Sequence, residues 1–363
     1  LLMMFYTVIA GWLLYYFVET LRGGFGGLDA DGVAEKFSDL LSRPGIMTFY
    51  MLVVVLLGMA VCSKGLRNGV ERVNKIMMLC LLALMVVLAV NSVLLPGAEE
   101  GLRFYLQPNF RNLVYDAEGN WILGEAVFAA MGQAFFTLSL GIGAIAIFGS
   151  YIGKEYRLAG EALRIGVLDT CVAFVAGLII FPACSAFGVS TGEGPSLVFV
   201  TLPNIFNAMP LGRLWGAAFF LFLSCAALST VIAVFENIIS FTMDRWGISR
   251  EKAVWINRVG VFLLSMPCVL GSNLWSGFTV LGMDISGIED FLVSQNILPL
   301  GSLVYVLFCT AKKGWGWDKF LAEANEGQGP AFPKGVRFYV SYILPLIVLF
   351  IFVMGYWNQF GPQ

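Results

Sequence analysis

Long blocks of consecutive apolar residues dominate this chain, and most blocks run for roughly 18 to 25 residues. An α-helix rises 1.5 Å per residue, so ~20 residues cross the ~30 Å hydrocarbon layer of a bilayer. Of the 363 residues, 58% are hydrophobic and 13% are charged, whereas soluble domains carry about 25% charged residues. The sequence therefore predicts an all-α integral membrane protein whose solvent is the lipid bilayer.

Charged or Gly- and Pro-rich segments separate the apolar blocks and set the limits of nine predicted spans. The spans lie at residues 1 to 21, 46 to 63, 74 to 95, 123 to 150, 165 to 188, 211 to 243, 254 to 272, 288 to 311 and 338 to 357. We expect them to form a single transmembrane domain over residues 1 to 363. The first span has no basic flank and no small-residue cleavage site, so it indicates a helix entered partway rather than a signal peptide.

The basic residues are unevenly distributed over the loops. Counted together with the basic residues just inside the adjoining span ends, alternate sets of loops hold 6 and 16 of the 22 Lys and Arg residues. Excess positive charge marks the cytoplasmic side. The richer set lies at 64 to 73, 151 to 164, 244 to 253 and 312 to 337. These loops are predicted to be cytoplasmic, and the C-terminus is therefore predicted to lie outside. We expect the protein in the cytoplasmic membrane. Two outer connections, 22 to 45 and 189 to 210, are long enough to be either lids or passive loops.

The residue types that the chain lacks exclude several classes of function. Histidine is absent, which excludes Ser-His-Asp triads, His-based proton relays and most zinc sites. The seven cysteines are scattered without a CxxC pair and are predicted to be buried apolar residues. A net charge of −2 and no long basic run argue against nucleic acid. We predict neither an enzyme nor an organic cofactor.

Charged groups are costly inside a membrane, so a carboxylate within a predicted span is a functional candidate by default. We single out four such carboxylates. They are Glu19, Asp169, Glu236 and Asp290. Glu19 lies near a span end and is predicted to sit at the membrane interface. Asp169 lies five residues beyond Arg164, or ~7.5 Å along a helix. The residues alone leave open whether Asp169 is functional or an interfacial carboxylate paired with a neighbour.

Two glycines interrupt the apolar stretch GQAFFTLSLGIGAIAIFGSY at residues 132 to 151. Gly141 and Gly143 lie beside Thr137 and Ser139, and each Gly costs a helix about 1 kcal/mol relative to Ala. A break here would expose backbone groups that line a cavity and bind an ion or a carboxylate. Close helix packing through small residues is the commoner use of membrane glycines. The pattern leaves both interpretations open.

A third stretch, CAALSTVIAVFE at residues 225 to 236, places small and hydroxylated residues on one helix face. Ala226, Ser229, Thr230 and Ala233 recur at spacings of three and four. Hydroxyl and carbonyl oxygens suit a hard cation such as Na⁺, but a tight helix contact would need the same residues.

At these stretches the chain resembles the neurotransmitter:sodium symporter family, in particular its bacterial amino-acid transporters of the LeuT-like fold. The resembling segments are FYTVIAGW, GQAFFTLSLGIG, LDTCVAFVAGLIIFP, GPSLVFVTLPNIF, CAALSTVIAVFE and DFLVSQNILPLG. The resemblance implies two inverted five-helix repeats with the substrate between broken helices 1 and 6. It implies a partial fold from midway through helix 3 to helix 11, in which helices 1 and 2 are absent and residues 132 to 151 are broken helix 6.

The resemblance also assigns substrate-binding roles. The Tyr6 hydroxyl is expected to meet the substrate carboxylate, and Phe136 to cap the site from outside. The implied substrate residues are Leu2, Tyr6, Phe136, Ser139, Ile142, Thr230 and Val234, and their apolar lining favours a hydrophobic amino acid. The implied outer gate and vestibule residues are Phe5, Ile9, Trp12 and Asp290.

The same resemblance implies two sodium sites. One uses the Ala226 carbonyl with Ser229 and Thr230, and the other uses Thr137 and Asp169, where many members have Asn. Chloride-dependent members bind Cl⁻ at positions that match Gln133, Thr137, Asp169 and Ala173. A carboxylate at Asp169 would offset the sodium charge and repel a second anion within ~5 Å. We therefore expect chloride-independent transport, and proton exchange through Asp169 on the return step stays open.

The sequence thus predicts sodium-coupled symport of an amino acid across the membrane by alternating access. One alternative is a sodium-coupled carrier of another small amine or solute. Another is a transport-inactive fragment, or a membrane scaffold or sensor derived from a transporter. The oligomeric state is not predicted.

Overall fold

The computed structural model describes residues 1–65, 71–116, 119–188 and 194–361. The described residues are predominantly helical, and their β pairing is limited to isolated bridges. The α-helices are α1 (Leu2–Arg22), α2 (Ala30–Ser42), α3 (Pro44–Ser63), α4 (Arg72–Val93), α5 (Ala98–Leu106), α6 (Phe110–Val114), α7 (Leu123–Thr137), α8 (Ala144–Tyr151), α9 (Leu158–Ala186), α10 (Gly194–Ser196), α11 (Leu202–Ala208), α12 (Gly212–Trp246), α13 (Arg250–Gly271), α14 (Ile285–Asp290), α15 (Leu298–Thr310), α16 (Trp317–Ala324) and α17 (Leu344–Phe360). The all-α prediction is confirmed. Parts of the loops at 64 to 73 and 189 to 210 lie outside the described residues.

Eight helical stretches in the described part of the chain are long and apolar enough to cross a membrane. They lie at the predicted spans other than 123 to 150, with ends shifted by a few residues. Residues 123 to 150 contain α7 and α8, which are separated by residues 138–143. The chain is a multi-pass membrane protein.

Two of the eight membrane helices, and one shorter apolar helix in the connection at 189 to 210, contain a π-helical segment directly before a proline-bearing turn. The π segments are Leu197–Thr201, Phe291–Ile297 and Tyr339–Ile343. The α-helix that follows each of them has Pro within its first two positions. Proline has no N–H and its ring clashes with the preceding turn, so a locally wider turn lets the helix continue.

The chain forms two compact units, each made of two separated stretches. The first unit is Leu1–Pro108 with Ala173–Glu289, and the second is Asn109–Val172 with Asp290–Gln363. Neither unit is continuous in sequence.

In the first unit, α1 packs against α3, α12 and α13. A Cβ at Gly11 would lie 2.8 Å from the Met51 backbone nitrogen, so glycine permits the close approach of α1 to α3. Between α1 and α13, the buried Thr7 and Ser265 hydroxyls lie 3.1 Å apart and share a hydrogen bond. Small residues and a buried polar pair therefore bring these helices together.

The two long connections of the first unit contain helices and pack on each other. Phe37 of α2 stacks on Phe199 with ring centroids 5.3 Å apart. The Asn207 side-chain amide donates a hydrogen bond of 2.6 Å to the Phe25 carbonyl oxygen. Tyr16 of α1 is fully buried beneath Phe25 and Phe199. The described parts of these connections form an ordered aromatic cover over the end of α1.

In the second unit, the α7 residue Phe135 is buried against Val348 and Ile351 of α17. The loops are tied by Arg157, whose guanidinium donates hydrogen bonds to the carbonyl oxygens of Asn325 and Gly329, at 3.0 and 2.6 Å. These contacts hold α7, α17 and the segment that contains α16 within one unit.

Candidate functional site

Three oxygen atoms cluster on one face of α12 in the first unit. The Ser229 hydroxyl donates to the Ala226 carbonyl oxygen at 2.7 Å, and the Thr230 hydroxyl donates to the same oxygen at 3.4 Å. All three residues are half-buried. Hydroxyl hydrogens rotate, so the lone pairs of both hydroxyls could turn with the carbonyl toward a hard cation. The arrangement fits Na⁺ ligation by neutral oxygens.

The Tyr6 side chain of α1 lies close enough to Thr230 of α12 for the two hydroxyl groups to interact. Leu2 lies one turn before Tyr6 and is half-buried. Val234 lies one turn after Thr230 and is buried. The structure therefore brings Tyr6 and Thr230 together, and the other two predicted substrate residues of this unit flank them on the same two helices.

The predicted vestibule residues of α1 are packed in this conformation. Phe5 and Trp12 are buried, and Ile9 is half-buried. The Trp12 ring makes edge-to-face contacts with Phe37 and Phe199, at centroid distances of 5.8 and 5.7 Å. Trp12 thus lies beneath the aromatic cover.

In the second unit, the chain leaves helical geometry between α7 and α8. Ser139, Gly141 and Gly143 have φ values of 51°, 82° and 90°, in the left-handed region that ends a right-handed helix. The first-turn amides of α8 consequently have no intrahelical acceptor and give that end a partial positive charge. The predicted break of broken helix 6 is present.

Gly141 also permits close helix packing, the second interpretation of this stretch. A Cβ at Gly141 would lie 2.3 Å from the Leu298 carbonyl oxygen and 2.9 Å from the Ser302 backbone nitrogen. The glycine therefore permits both the left-handed turn and the close approach of α15. Of the predicted substrate residues in this unit, Phe136 is exposed near the end of α7, and Ser139 and Ile142 lie within the break and are half-buried.

Beside this break, the Thr137 hydroxyl donates a hydrogen bond of 2.7 Å to Oδ1 of Asp169. Thr137 is the last residue of α7, and Asp169 lies on α9. The Arg164 guanidinium pairs with Glu161 at 2.6 Å, so the partner of Asp169 that the structure shows is the threonine. The structure brings together the two residues predicted for this sodium site.

The other residues predicted at the chloride-equivalent position lie on the same two helices. Gln133 is exposed one turn before Thr137 on α7, and Ala173 follows Asp169 by one turn on α9 and belongs to the first unit. The predicted gate residue Asp290 accepts a hydrogen bond of 2.7 Å from the Ser294 hydroxyl. Asp290 is therefore held by its own helix.

Glu236, flagged as an intramembrane carboxylate, has a partner that its sequence position did not show. Glu236 is fully buried on α12. The Arg250 guanidinium at the start of α13 pairs with both of its oxygens and donates a bond of 2.8 Å to the Cys62 carbonyl. The turn between α12 and α13 creates this contact.

Glu289 was missed among the intramembrane carboxylates, because the predicted span begins only one residue before it. It is 6% exposed, and its Oε2 has no hydrogen-bond partner among the described residues. Its place inside an apolar span was the signal that could have found it.

Three comparisons bear on this geometry. The model of the sodium:neurotransmitter symporter family matches residues 32–362. An uncharacterized sodium-dependent transporter, YhdH, of Bacillus subtilis is 33% identical over 97% of the chain and 76% of its own length. An uncharacterized sodium-dependent transporter of Haemophilus influenzae has the same identity and coverages.

The structural comparison agrees. The crystal structure of MhsT in complex with L-phenylalanine superposes with a TM-score of 0.85 and 35% identity. The superposition covers 98% of this chain and 78% of MhsT. The helix order and the break between α7 and α8 therefore occur in a fold shared with a solved protein.

Proposed function

Because the chain belongs to the sodium:neurotransmitter symporter family, a family of transporters and not of enzymes, we propose that it carries an amino acid together with Na⁺ by alternating access. One observation carries the proposal. The Thr230 hydroxyl belongs to the oxygen cluster around the Ala226 carbonyl and also lies within interaction range of the Tyr6 hydroxyl. A cation at this cluster and a substrate carboxylate at Tyr6 would attract each other, which couples the two binding events.

We infer that the substrate has an apolar side chain. Leu2, Val234, Phe136 and Ile142 supply apolar side chains at the implied substrate positions. MhsT, 35% identical over nearly the whole chain, has L-phenylalanine bound. The Tyr6 hydroxyl can donate a hydrogen bond to the substrate carboxylate.

We infer that transport needs no chloride. The Asp169 carboxylate accepts from Thr137, where the resemblance implies a chloride ligand. A second anion at ~5 Å would be repelled by about 3 kcal/mol at an effective dielectric constant of ~20. The fixed carboxylate would balance the sodium charge instead.

We also infer the orientation of the chain. The excess of Lys and Arg in alternate loops favours a place in the cytoplasmic membrane, with the C-terminus outside.

Reconstituted vesicles test the proposal. The purified chain, placed in liposomes with an inward Na⁺ gradient, is expected to accumulate labelled L-phenylalanine or L-leucine in gluconate buffer. Uptake of a labelled amine with no response to amino acids would favour a carrier of another solute. If no solute from a broad labelled mixture were bound or accumulated, the chain would act as a scaffold or sensor.

A further inference from the structure

A charged cleft lies where two membrane helices of the first unit end. It has a volume of about 580 Å³, within the ~300–1,000 Å³ range of small-molecule sites. Its lining includes Tyr15, Glu19, Arg22, Lys36, Arg43 and Tyr50. Because α1 ends at Arg22 and α3 begins at Pro44, the cleft lies at the level where both helices leave the hydrocarbon.

The ionic groups of the cleft are arranged in pairs with one cation left over. Lys36 pairs with Glu19 at 2.8 Å, and Arg43 pairs with Asp39 at 2.8 Å. Arg22 also lines the cleft, and in the described part of the chain its guanidinium has neither an ion-pair nor a hydrogen-bond partner. Each pair engages one carboxylate oxygen, Oε2 of Glu19 and Oδ1 of Asp39, so the second oxygen of each can accept from an ammonium group. With Arg22 as the surplus cation, the lining complements a ligand that carries both a strong anion and an ammonium group.

The lining of the cleft also includes three aromatic side chains, Tyr15, Phe49 and Tyr50. Tyr15 and Tyr50 meet edge-to-face at 5.4 Å, and Phe49 meets Tyr50 in the same way at 5.3 Å. Phe49 lines the cleft and is 60% exposed. Tyrosines with an apolar body and a polar tip are typical of the membrane–water interface. An exposed phenylalanine beside them suits contact with an acyl chain.

From this juxtaposition we propose that the cleft binds a phospholipid with a zwitterionic headgroup. The phosphate lies against Arg22, as a phosphate matches the guanidinium fork. The ammonium group lies toward the carboxylates of Glu19 and Asp39, and an acyl chain leaves over Phe49. The exposed Phe49 ring in the lining favours a lipid over a free zwitterion, since a soluble zwitterion has no acyl chain to place against it. This site is independent of the proposed transport function.

The test uses the full chain, purified in detergent and delipidated. Native mass spectrometry would titrate it with phosphatidylethanolamine and with phosphatidylglycerol. Arg22→Ala is expected to weaken phosphatidylethanolamine binding roughly fivefold to tenfold, the loss of one charge-assisted hydrogen bond. The matched control is Arg245→Ala, which removes another exposed arginine at the end of α12 and should bind as the parent chain does. Equal melting temperatures would show that both variants are folded.

Three results would overturn the proposal. The first is equal binding of phosphatidylethanolamine by the parent chain and folded Arg22→Ala. The second is phosphatidylglycerol binding as tight as phosphatidylethanolamine, which would remove the role of the carboxylates. The third is displacement of the bound lipid by free phosphoethanolamine or L-leucine at micromolar concentration, which would assign the cleft to a soluble zwitterion. An Arg22-dependent preference for phosphatidylethanolamine that free zwitterions do not affect supports it.

Discussion

The Thr137 hydroxyl donates a 2.7 Å hydrogen bond to Oδ1 of Asp169, and this contact joins the end of α7 to α9. A carboxylate in this place supplies a fixed negative charge beside the break at residues 138–143. This contact is the structural basis of the proposal that sodium coupling needs no chloride.

Asp169→Asn is expected to turn the protein into a chloride-dependent carrier. Loss of the fixed charge should lower uptake in chloride-free buffer roughly tenfold, or ~1.4 kcal/mol of lost ion stabilisation, and added chloride should restore it. Glu161→Gln on the same helix removes a carboxylate that pairs at the surface with Arg164 and should change little. Unchanged chloride-free uptake by Asp169→Asn would show that the carboxylate does not balance sodium.

Ser229→Ala should weaken sodium activation. The substitution removes one oxygen of the cluster at Ala226, so the Na⁺ concentration for half-maximal uptake is expected to rise about tenfold. Ser224 lies on the same helix, and its buried hydroxyl has no partner among the described residues. Ser224→Ala should therefore leave sodium activation unchanged. Equal sodium dependence in the two variants would remove Ser229 from the ion site.

Tyr6→Phe should raise the KM for the amino acid about tenfold or more, because a hydrogen bond to a charged group contributes ~1.5–3 kcal/mol. The control is Tyr16→Phe on the same helix, where the buried hydroxyl has no partner in the described residues. Tyr16→Phe should keep the parent KM and at least the parent melting temperature. A KM that stays the same in both variants would place the substrate carboxylate elsewhere.

Gly141→Ala is expected to abolish uptake and lower stability by roughly 2 kcal/mol or more. Its Cβ would lie 2.3 Å from the Leu298 carbonyl oxygen, and its φ is +82°. Gly149 on α8 has no atom within 4 Å of a built Cβ, so Gly149→Ala should retain uptake and the parent melting temperature. Thermal unfolding in detergent and vesicle uptake measure both effects. Uptake equal to that of the parent chain in Gly141→Ala would show that transport does not need glycine at this turn.

Glu236→Gln should destabilise the fold by about 3–5 kcal/mol, the usual effect of leaving a buried charge without its partner. The orphaned charge would be the Arg250 guanidinium, which also holds the Cys62 carbonyl. Glu326→Gln breaks the exposed pair with Lys154 and should shift stability by less than ~1 kcal/mol. Thermal or denaturant unfolding measures the loss of stability in each variant. A similar loss in Glu236→Gln and Glu326→Gln would show that removing the partner of the Arg250 guanidinium has no special cost.

The lengths of the apolar blocks predicted most of the membrane helices, because bilayer thickness dictates span length. The break after Thr137 was harder to predict. Glycines at 141 and 143 serve a left-handed turn as well as close packing against Leu298, and sequence spacing is the same for both. The family resemblance, rather than the pattern, favoured the break.

Contacts between distant segments lay beyond sequence reasoning. The shared face of Ala226, Ser229 and Thr230 follows from helical spacing and was predicted. The approach of Tyr6 to Thr230 depends on how α1 packs against α12, which no single stretch of sequence encodes. The Glu236–Arg250 pair likewise depends on the turn at residues 247–249.

Uptake of labelled L-phenylalanine by proteoliposomes containing the purified chain, in gluconate buffer with an inward Na⁺ gradient, tests the central claim most directly. The account predicts accumulation that collapses when the Na⁺ gradient is dissipated and does not change when chloride replaces gluconate. Accumulation without a Na⁺ gradient, or accumulation that needs chloride, would contradict it.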